Sequence, residues 1–281
     1  MLSMKKKSAY PREDRSFTVG VIGLGYVGLP LVLSFCDVGN RVIGIDIHEG
    51  RVKTLNEGKS YITNISSKKI KKIKEEGFVA TCDFSAITQV DVIIICVPTP
   101  LDPHYNPDLS YIENTVKSAA KYLKKGHTVI LESTTFPGTT RDIVLPLVEQ
   151  SGLRVGNEIY LVYSPERESP GDDSFKMRDV PKIVSGITHK CLERGVAIYG
   201  NVINQVVPVS STECAEFTKL LENSHRAVNI GLVNELKLLA TKLGLNIFEI
   251  VNAAATKPFG FSAFYPGPGV GGHCIPIDPM Y

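Results

Sequence analysis

The chain has 281 residues, 43% hydrophobic and 21% charged, an ordinary globular composition with room for one large or two ordinary domains. A net charge of +2 and a pI of about 8.1 give no reason to expect a nucleic-acid partner, and no apolar run approaches bilayer length. Residues 1–16 are polar and basic with no signal-peptide core, and the six cysteines form no C-x-x-C pair. Together these features predict a reduced, cytoplasmic protein with a flexible N-terminal tail and no membrane contact.

In chain order, Phe17-Thr18-Val19-Gly20-Val21-Ile22 is a strand-type run leading into Gly23-Leu24-Gly25-Tyr26-Val27-Gly28 and then a helical stretch, 29–36. That is the context a dinucleotide fingerprint requires. Gly23 permits the turn, Gly25 lets a pyrophosphate approach the backbone, Gly28 allows close helix–strand packing, and the helix N-terminus attracts phosphate. The second strand, Arg41-Val42-Ile43-Gly44-Ile45-Asp46, ends in an acid about twenty residues on, which favours NAD over NADP. The paired lysines at 68–69 and 71–72 sit in a polar helical stretch and read as a solvated face.

Further buried strands are predicted at 91–97, 127–131, 159–163 and 205–209, alternating with helical patterns. Ser110-Tyr111-Ile112-Glu113, Thr139-Thr140-Arg141-Asp142 and Ser210-Ser211-Thr212-Glu213 read as capped helix starts. The alternation predicts an α/β fold, a Rossmann-type doubly wound parallel sheet over residues 17–209, followed by an all-helical unit over 210–281. That second unit opens on one long helix, with a break placed near Gly231 or Gly244, and continues in a helix started at Asn246-Ile247-Phe248-Glu249.

Ligands of such sheets bind beyond the strand C-termini. The loops there are Val97-Pro98-Thr99-Pro100, Glu132-Ser133-Thr134-Thr135-Phe136-Pro137-Gly138 and Ser164-Pro165-Glu166-Arg167. On the long helix, Lys219, Asn223 and Arg226 share one face by their spacing, either a solvent stripe or a lysine and an amide aimed into a cleft. Gly271-Gly272-His273-Cys274 either displays a thiol in a loop too poor in side chains to be a core or is a Pro/Gly turn that happens to contain a cysteine.

Taken together and in order, these motifs resemble the UDP-glucose/GDP-mannose dehydrogenase family from Phe17 to the last residue. The stretches at 164–171, 222–235 and 253–261 are most similar to the branch that oxidises UDP-N-acetylglucosamine. The glucose branch carries a glutamate where this chain has Pro170, so that role is not carried over.

The resemblance implies two successive NAD-dependent oxidations of a sugar C6 alcohol to a carboxylate, for surface-polysaccharide precursors. It makes Cys274 the nucleophile, Lys219 and Asn223 the oxyanion-stabilising pair, and Asp278 a water-positioning carboxylate. Thr134 and Glu166 handle water, protons and substrate, and His273 is structural. The implied NAD contacts are Gly23, Gly25, Tyr26, Val27, Gly28, Asp46, Arg51, Val97, Pro98, Thr99 and Thr134. The implied UDP-sugar contacts are Glu166, Arg167, Lys219, Asn223, Arg226 and Gly272, with no metal.

A homodimer through the 211–243 helix is also implied, by Leu232, Val233, Leu236, Leu238, Leu239 and Leu243. Family members continue past the cysteine loop into a third domain that supplies much of the UDP site, while this sequence stops at Tyr281, which suggests a fragment or a truncated form with an incomplete site. The rival readings are a two-electron hydroxyacid dehydrogenase, which needs no thiol, and a non-catalytic NAD-binding or dimerisation module.

Overall fold

A computed structural model describes residues 17–167, 177–272 and 275–281. The expected N-terminal tail, His273 and Cys274 lie outside the described residues. The chain divides into two compact units: the first holds Met1–Thr99 and Asp108–Phe217, the second Pro100–Pro107 and Thr218–Tyr281.

The first unit is built on β1 (Thr18–Ile22), α1 (Gly28–Asp37), β2 (Arg41–Ile45), α2 (Glu49–Asn56), α3 (Ser67–Glu75), β3 (Val79–Thr81) and β4 (Val92–Ile95). It continues through α4 (Ser110–Ala120), β5 (Thr128–Leu131), α5 (Leu145–Glu149), β6 (Tyr160–Tyr163), β7 (Lys182–Gly186), α6 (His189–Val202) and β8 (Val206–Pro208). The strands form one sheet in the order β3-β2-β1-β4-β5-β6-β7-β8. Every pairing is parallel except β6 with β7.

Parallel strands are covered by crossover helices, so both faces must be apolar. Val92-Ile93-Ile94-Ile95 meets that demand with every residue buried, and Val21, Ile94, Ile130, Val162 and Val184 carry one core continuously across the sheet beneath α1 and α6.

The sequence reading missed two strands. β3 is three residues long and too short for a periodicity, and β7 opens on a lysine and runs antiparallel, outside the βαβ rhythm. Two expected helix caps also differ. The N-terminus of α4 is served by Asp108, whose Oδ1 accepts from Ser110 N at 2.9 Å, and Ser110 is already helical. Residues Thr139–Val144 form a π-helical turn that runs into α5, and Thr139 Oγ1 donates backwards to the Phe136 carbonyl.

Helix α7 (Thr212–Lys242) is continuous through Gly231 and is followed by a left-handed Gly244, with φ +69°. Its cap is Ser211, whose hydroxyl accepts from Cys214 N at 3.2 Å. Helix α8 (Ile247–Ala255) starts as expected, with Asn246 Oδ1 accepting from Phe248 N. In the second unit Val233 and Ala240 of α7 pack with Ile247 and Val251 of α8. Val233 is therefore spent on this small core, while Leu232, Leu236, Leu239 and Leu243 stay exposed.

The first turns of α7 are fixed by a buried carboxylate. Glu216 is fully buried, and its oxygens accept from Gly138 N (2.7 Å), Thr140 N (2.8 Å), Thr140 Oγ1 (2.7 Å) and Thr135 Oγ1 (3.3 Å). The carboxylate thus occupies the amide-rich N-terminus of the Thr139–Val144 turn, where negative charge is favoured. Burial raises its pKa above the ordinary 4.5, with the hydrogen bonds from Thr140 and its neighbours opposing.

Glu216→Gln turns one acceptor into a donor that faces another donor, and should cost about 1–3 kcal/mol in urea denaturation. The raised folded pKa means that the proton-linked stabilisation is fully present below the unfolded value of about 4.5 and is lost as pH rises through the folded one. The stability gap between the native protein and the variant should therefore be wider near pH 4 than at neutrality, and a gap that narrows toward acid contradicts this account.

Candidate active site

The turn from β1 into α1 closes on glycines because nothing larger fits. A Cβ on Gly28 would lie 1.9 Å from the Gly23 carbonyl oxygen, and one on Gly23, at φ +91°, would lie 2.6 Å from the Cys96 carbonyl oxygen. Gly25 has open space around its would-be Cβ, the approach a phosphate needs. Tyr26 is exposed beside it and Val27 is half-buried.

Asp46 follows β2 and is 5% exposed. Its Oδ2 accepts from Leu24 N at 2.8 Å and its Oδ1 from His48 N at 2.9 Å, so one carboxylate ties the glycine turn to the end of β2. Arg51 Nη1 stands 3.5 Å from Asp46 Oδ2, and its guanidinium lies over the Tyr61 ring. The Tyr61 hydroxyl donates to the Leu24 carbonyl, and burial, with the Asp46 charge second, pushes its phenol up to about 12. An open backbone approach at a helix N-terminus, with a carboxylate and an arginine at the next strand end, fits an adenine dinucleotide.

The other strand ends lie along the same sheet edge. Ser133 Oγ donates to the Val97 carbonyl at 2.8 Å and joins the loop that carries Thr134 to the loop that carries Pro98 and Thr99. Thr134 is half-buried, as are Glu166 and Arg167. Arg167 Nη1 donates to the Pro181 carbonyl at 2.6 Å. A cavity here is lined by Val27, Glu132, Glu166, Arg167, Lys182 and Tyr199, among others. Glu132, Lys182 and Tyr199 had no role in the sequence reading. Glu132 and Lys182 are each a charged residue at the border of an apolar run, a signal that is legible but common, and Tyr199 lies inside α6 with no such mark.

In the second unit Lys219 (6% exposed), Asn223 (3%) and Asp278 (4%) are buried, and Asn223 Nδ2 donates to Asp278 Oδ2 across 55 residues of sequence. Arg226 lies on the same helical face two turns on and is exposed. The segment before the cysteine loop is held to α7 by Asn234, whose Oδ1 accepts from Gly267 N (2.8 Å) and whose Nδ2 donates to the Gly269 carbonyl (3.2 Å). Gly272 is exposed with φ +76°, and Cys274 itself lies outside the described residues. Among the described residues no three His, Cys, Asp or Glu side chains gather as a metal site.

The sheet, the glycine turn and the acid after β2 define a dinucleotide-binding class of protein. Residues 17–203 match the NAD binding domain of the UDP-glucose/GDP-mannose dehydrogenase family, and residues 213–281 match its central domain. The chain belongs to this family. It is 38% identical to the UDP-N-acetyl-D-glucosamine 6-dehydrogenase of Pseudomonas aeruginosa, over 95% of this chain and 63% of that protein. It is 37% identical to the UDP-N-acetyl-D-mannosamine dehydrogenase of Yersinia pestis, over 94% of this chain and 64% of that one. The solved UDP-D-ManNAc dehydrogenase of Pyrococcus horikoshii superimposes with a TM-score of 0.88 at 36% identity, covering 94% of this chain and 63% of that structure. The chain therefore spans a little under two thirds of the length of these relatives.

Asp46→Ala removes both the negative charge that opposes a 2′-phosphate and the acceptor of Leu24 N. We expect NAD to bind about tenfold more weakly, the order of one lost charged hydrogen bond, and the preference over NADP to shrink. Titration of both cofactors measures this, and an unchanged ratio would remove Asp46 from cofactor selection.

Proposed function

We propose that this chain carries the cofactor and catalytic parts of an NAD-dependent 6-dehydrogenase of a UDP-N-acetylhexosamine, with UDP-N-acetylglucosamine the first choice and UDP-N-acetylmannosamine or UDP-glucose the alternatives. The observation that carries the reading is the buried Asn223–Asp278 pair with Lys219 one turn earlier, in the unit that also holds the Cys274 segment. An amide, a carboxylate and an ammonium in a dry site act on charge that develops on oxygen. The names of the relatives support a hexosamine substrate.

NAD, held at the glycine turn of residues 23–28 with Asp46 and Arg51, would take up one hydride in each of the two oxidations, a second NAD replacing the NADH of the first. Lys219 stabilises the alkoxide and later oxyanions, and Asn223 holds Asp278 in place. The Cys274 thiolate adds to the aldehyde carbon, the thiohemiacetal carbon gives up a hydride, and a thioester remains. Water held by Asp278, with Thr134 and Glu166 handling protons, then cleaves the thioester to carboxylate and thiol. Thiol chemistry separates this reading from a simple hydroxyacid dehydrogenase, which forms one NADH per substrate.

NADH formation with UDP-N-acetylglucosamine, UDP-N-acetylmannosamine and UDP-glucose is the test. Two NADH per sugar are expected, with the first substrate preferred. Cys274→Ser should abolish acid formation and leave NAD binding intact, because a hydroxyl is a far weaker nucleophile than a thiolate. A single NADH per sugar, or unimpaired two-step turnover in that variant, would sink the mechanism.

The reading includes a homodimer in the cytoplasm. No helix among the described residues is long and apolar enough to cross a membrane, and the five described cysteines form no disulfide, which suits a reducing compartment. Leu232, Leu236 and Leu239 of α7 and Leu243 just after it are exposed apolar side chains at helical spacing, a stripe that a second copy would cover. Light scattering at micromolar protein should give twice the chain mass, and a monomeric mass would refute the dimer.

A further inference from the structure

Four strand ends of the first unit carry polar or ionisable residues that the proposed chemistry does not use. Cys96, Glu132 and Ser164 follow β4, β5 and β6 directly, and Lys182 opens the antiparallel β7, so all four stand at one edge of the sheet. Glu132 lies two residues after Ile130, Ser164 two after Val162 and Lys182 two before Val184, and strand alternation puts them on the same face as those core residues. All four are at least nine-tenths buried.

Tyr199 of α6, fully buried, completes the layer. Lys182 Nζ donates to Glu132 Oε2 at 2.9 Å, the Tyr199 hydroxyl donates to Glu132 Oε1, and the Lys182 ammonium lies 5.1 Å from the centre of the Tyr199 ring. Burial, then the Glu132 charge, pushes the Tyr199 phenol well above its ordinary range, so it stays a donor. Ser164 Oγ donates to the Ile183 carbonyl at 2.6 Å, next to Lys182.

A buried ion pair is a poor source of stability, since apolar residues of like volume often do as well. What it supplies is a fixed geometry. The residues that follow immediately are Ser133 and Thr134 after Glu132, and Pro165, Glu166 and Arg167 after Ser164, with Arg167 bonded to the carbonyl of Pro181 next to Lys182. Glu132, Lys182 and Tyr199 also line the cavity that Val27, Glu166 and Arg167 border.

We propose that Glu132, Lys182 and Tyr199 are positioning residues: their buried network sets the two loops that carry Thr134 and Glu166, and so places the nicotinamide end of the cofactor without touching the reacting atoms. The proposal rests on the site reading given above. The adenosine end, held at Gly25 and Asp46, is independent of it.

The test compares the 281-residue protein with Glu132→Gln, with the double variant Glu132→Leu/Lys182→Met, and with Tyr199→Phe. Glu132→Gln leaves a buried ammonium without its counter-charge and should lower the melting temperature. The double variant should recover that temperature, yet amide exchange at 132–135 and 164–167 should stay about tenfold faster than in the native protein, as expected when loops lose their anchor while the core holds. Its affinity for NAD should fall about tenfold, while its affinity for ADP-ribose, which lacks the nicotinamide, stays within about twofold.

A double variant with native melting, native loop exchange and native NAD affinity would overturn the proposal by making the pair a replaceable piece of core. Should the double variant not fold, Tyr199→Phe serves alone: faster exchange confined to the same two loops supports the proposal, and a change spread evenly over the strands refutes it. A native protein that binds neither NAD nor ADP-ribose refutes the cofactor reading instead, and the exchange measurement still decides the role of the network.

Discussion

Parallel pairing is the constraint on which the rest of the first unit depends. Six strands run one way, with β7 and β8 opposed to them, so the connections among the six must cross over the faces, and both faces are taken up by helices and apolar contacts. Nothing polar can sit mid-sheet without a partner, and chemistry is pushed to the edge where strands end. That edge is where Gly23, Asp46, Val97, Thr134 and Glu166 fall, one strand end after another. The antiparallel β7 matters because its start, not its end, lies at this edge and brings in Lys182 where a parallel strand would deliver its C-terminal loop.

How much of this was legible follows from the range of the interactions. The long apolar runs that became β1, β4 and β5, the glycine turn and the Asn246 cap could be read because each signal is local. Three-residue β3 carries no period to detect. The Ser110 capping pattern misled because the helix has already begun at Ser110, whose own amide donates to Asp108 two residues earlier. The contacts of Glu216 with Gly138 and Thr140, and of Glu132 with Lys182, join residues 76 to 78 and 50 positions apart, and no spacing rule relates them. Lys219 and Asn223 were visible as a helical pair, but their spacing alone leaned toward a solvent face over a cleft. Burial of both side chains, with the Asp278 carboxylate accepting from Asn223 across 55 residues of sequence, takes them out of a solvent face.

Three buried carboxylates in the first unit are satisfied in three different ways, and the differences sort their roles. Asp46 accepts from two backbone amides, Leu24 N and His48 N, and has Arg51 at its flank. Its charge is held at a turn that a ligand must approach. Glu216 accepts from two backbone amides and two threonine hydroxyls, with no cation among these hydrogen-bond partners, and its pKa is raised. That is the pattern of an anchor, tolerant of protonation and indifferent to ligand.

Glu132 is bound by a buried side-chain cation and a phenol, each held in place by its partner in the network. Side-chain donors give a network that is defined only while all its members are present, whereas backbone donors stay where the fold puts them. Removal of one member of the Glu132 group therefore disturbs the loops built on it more than it disturbs the sheet below. The same loss at Glu216 would be felt first by the helix that it anchors.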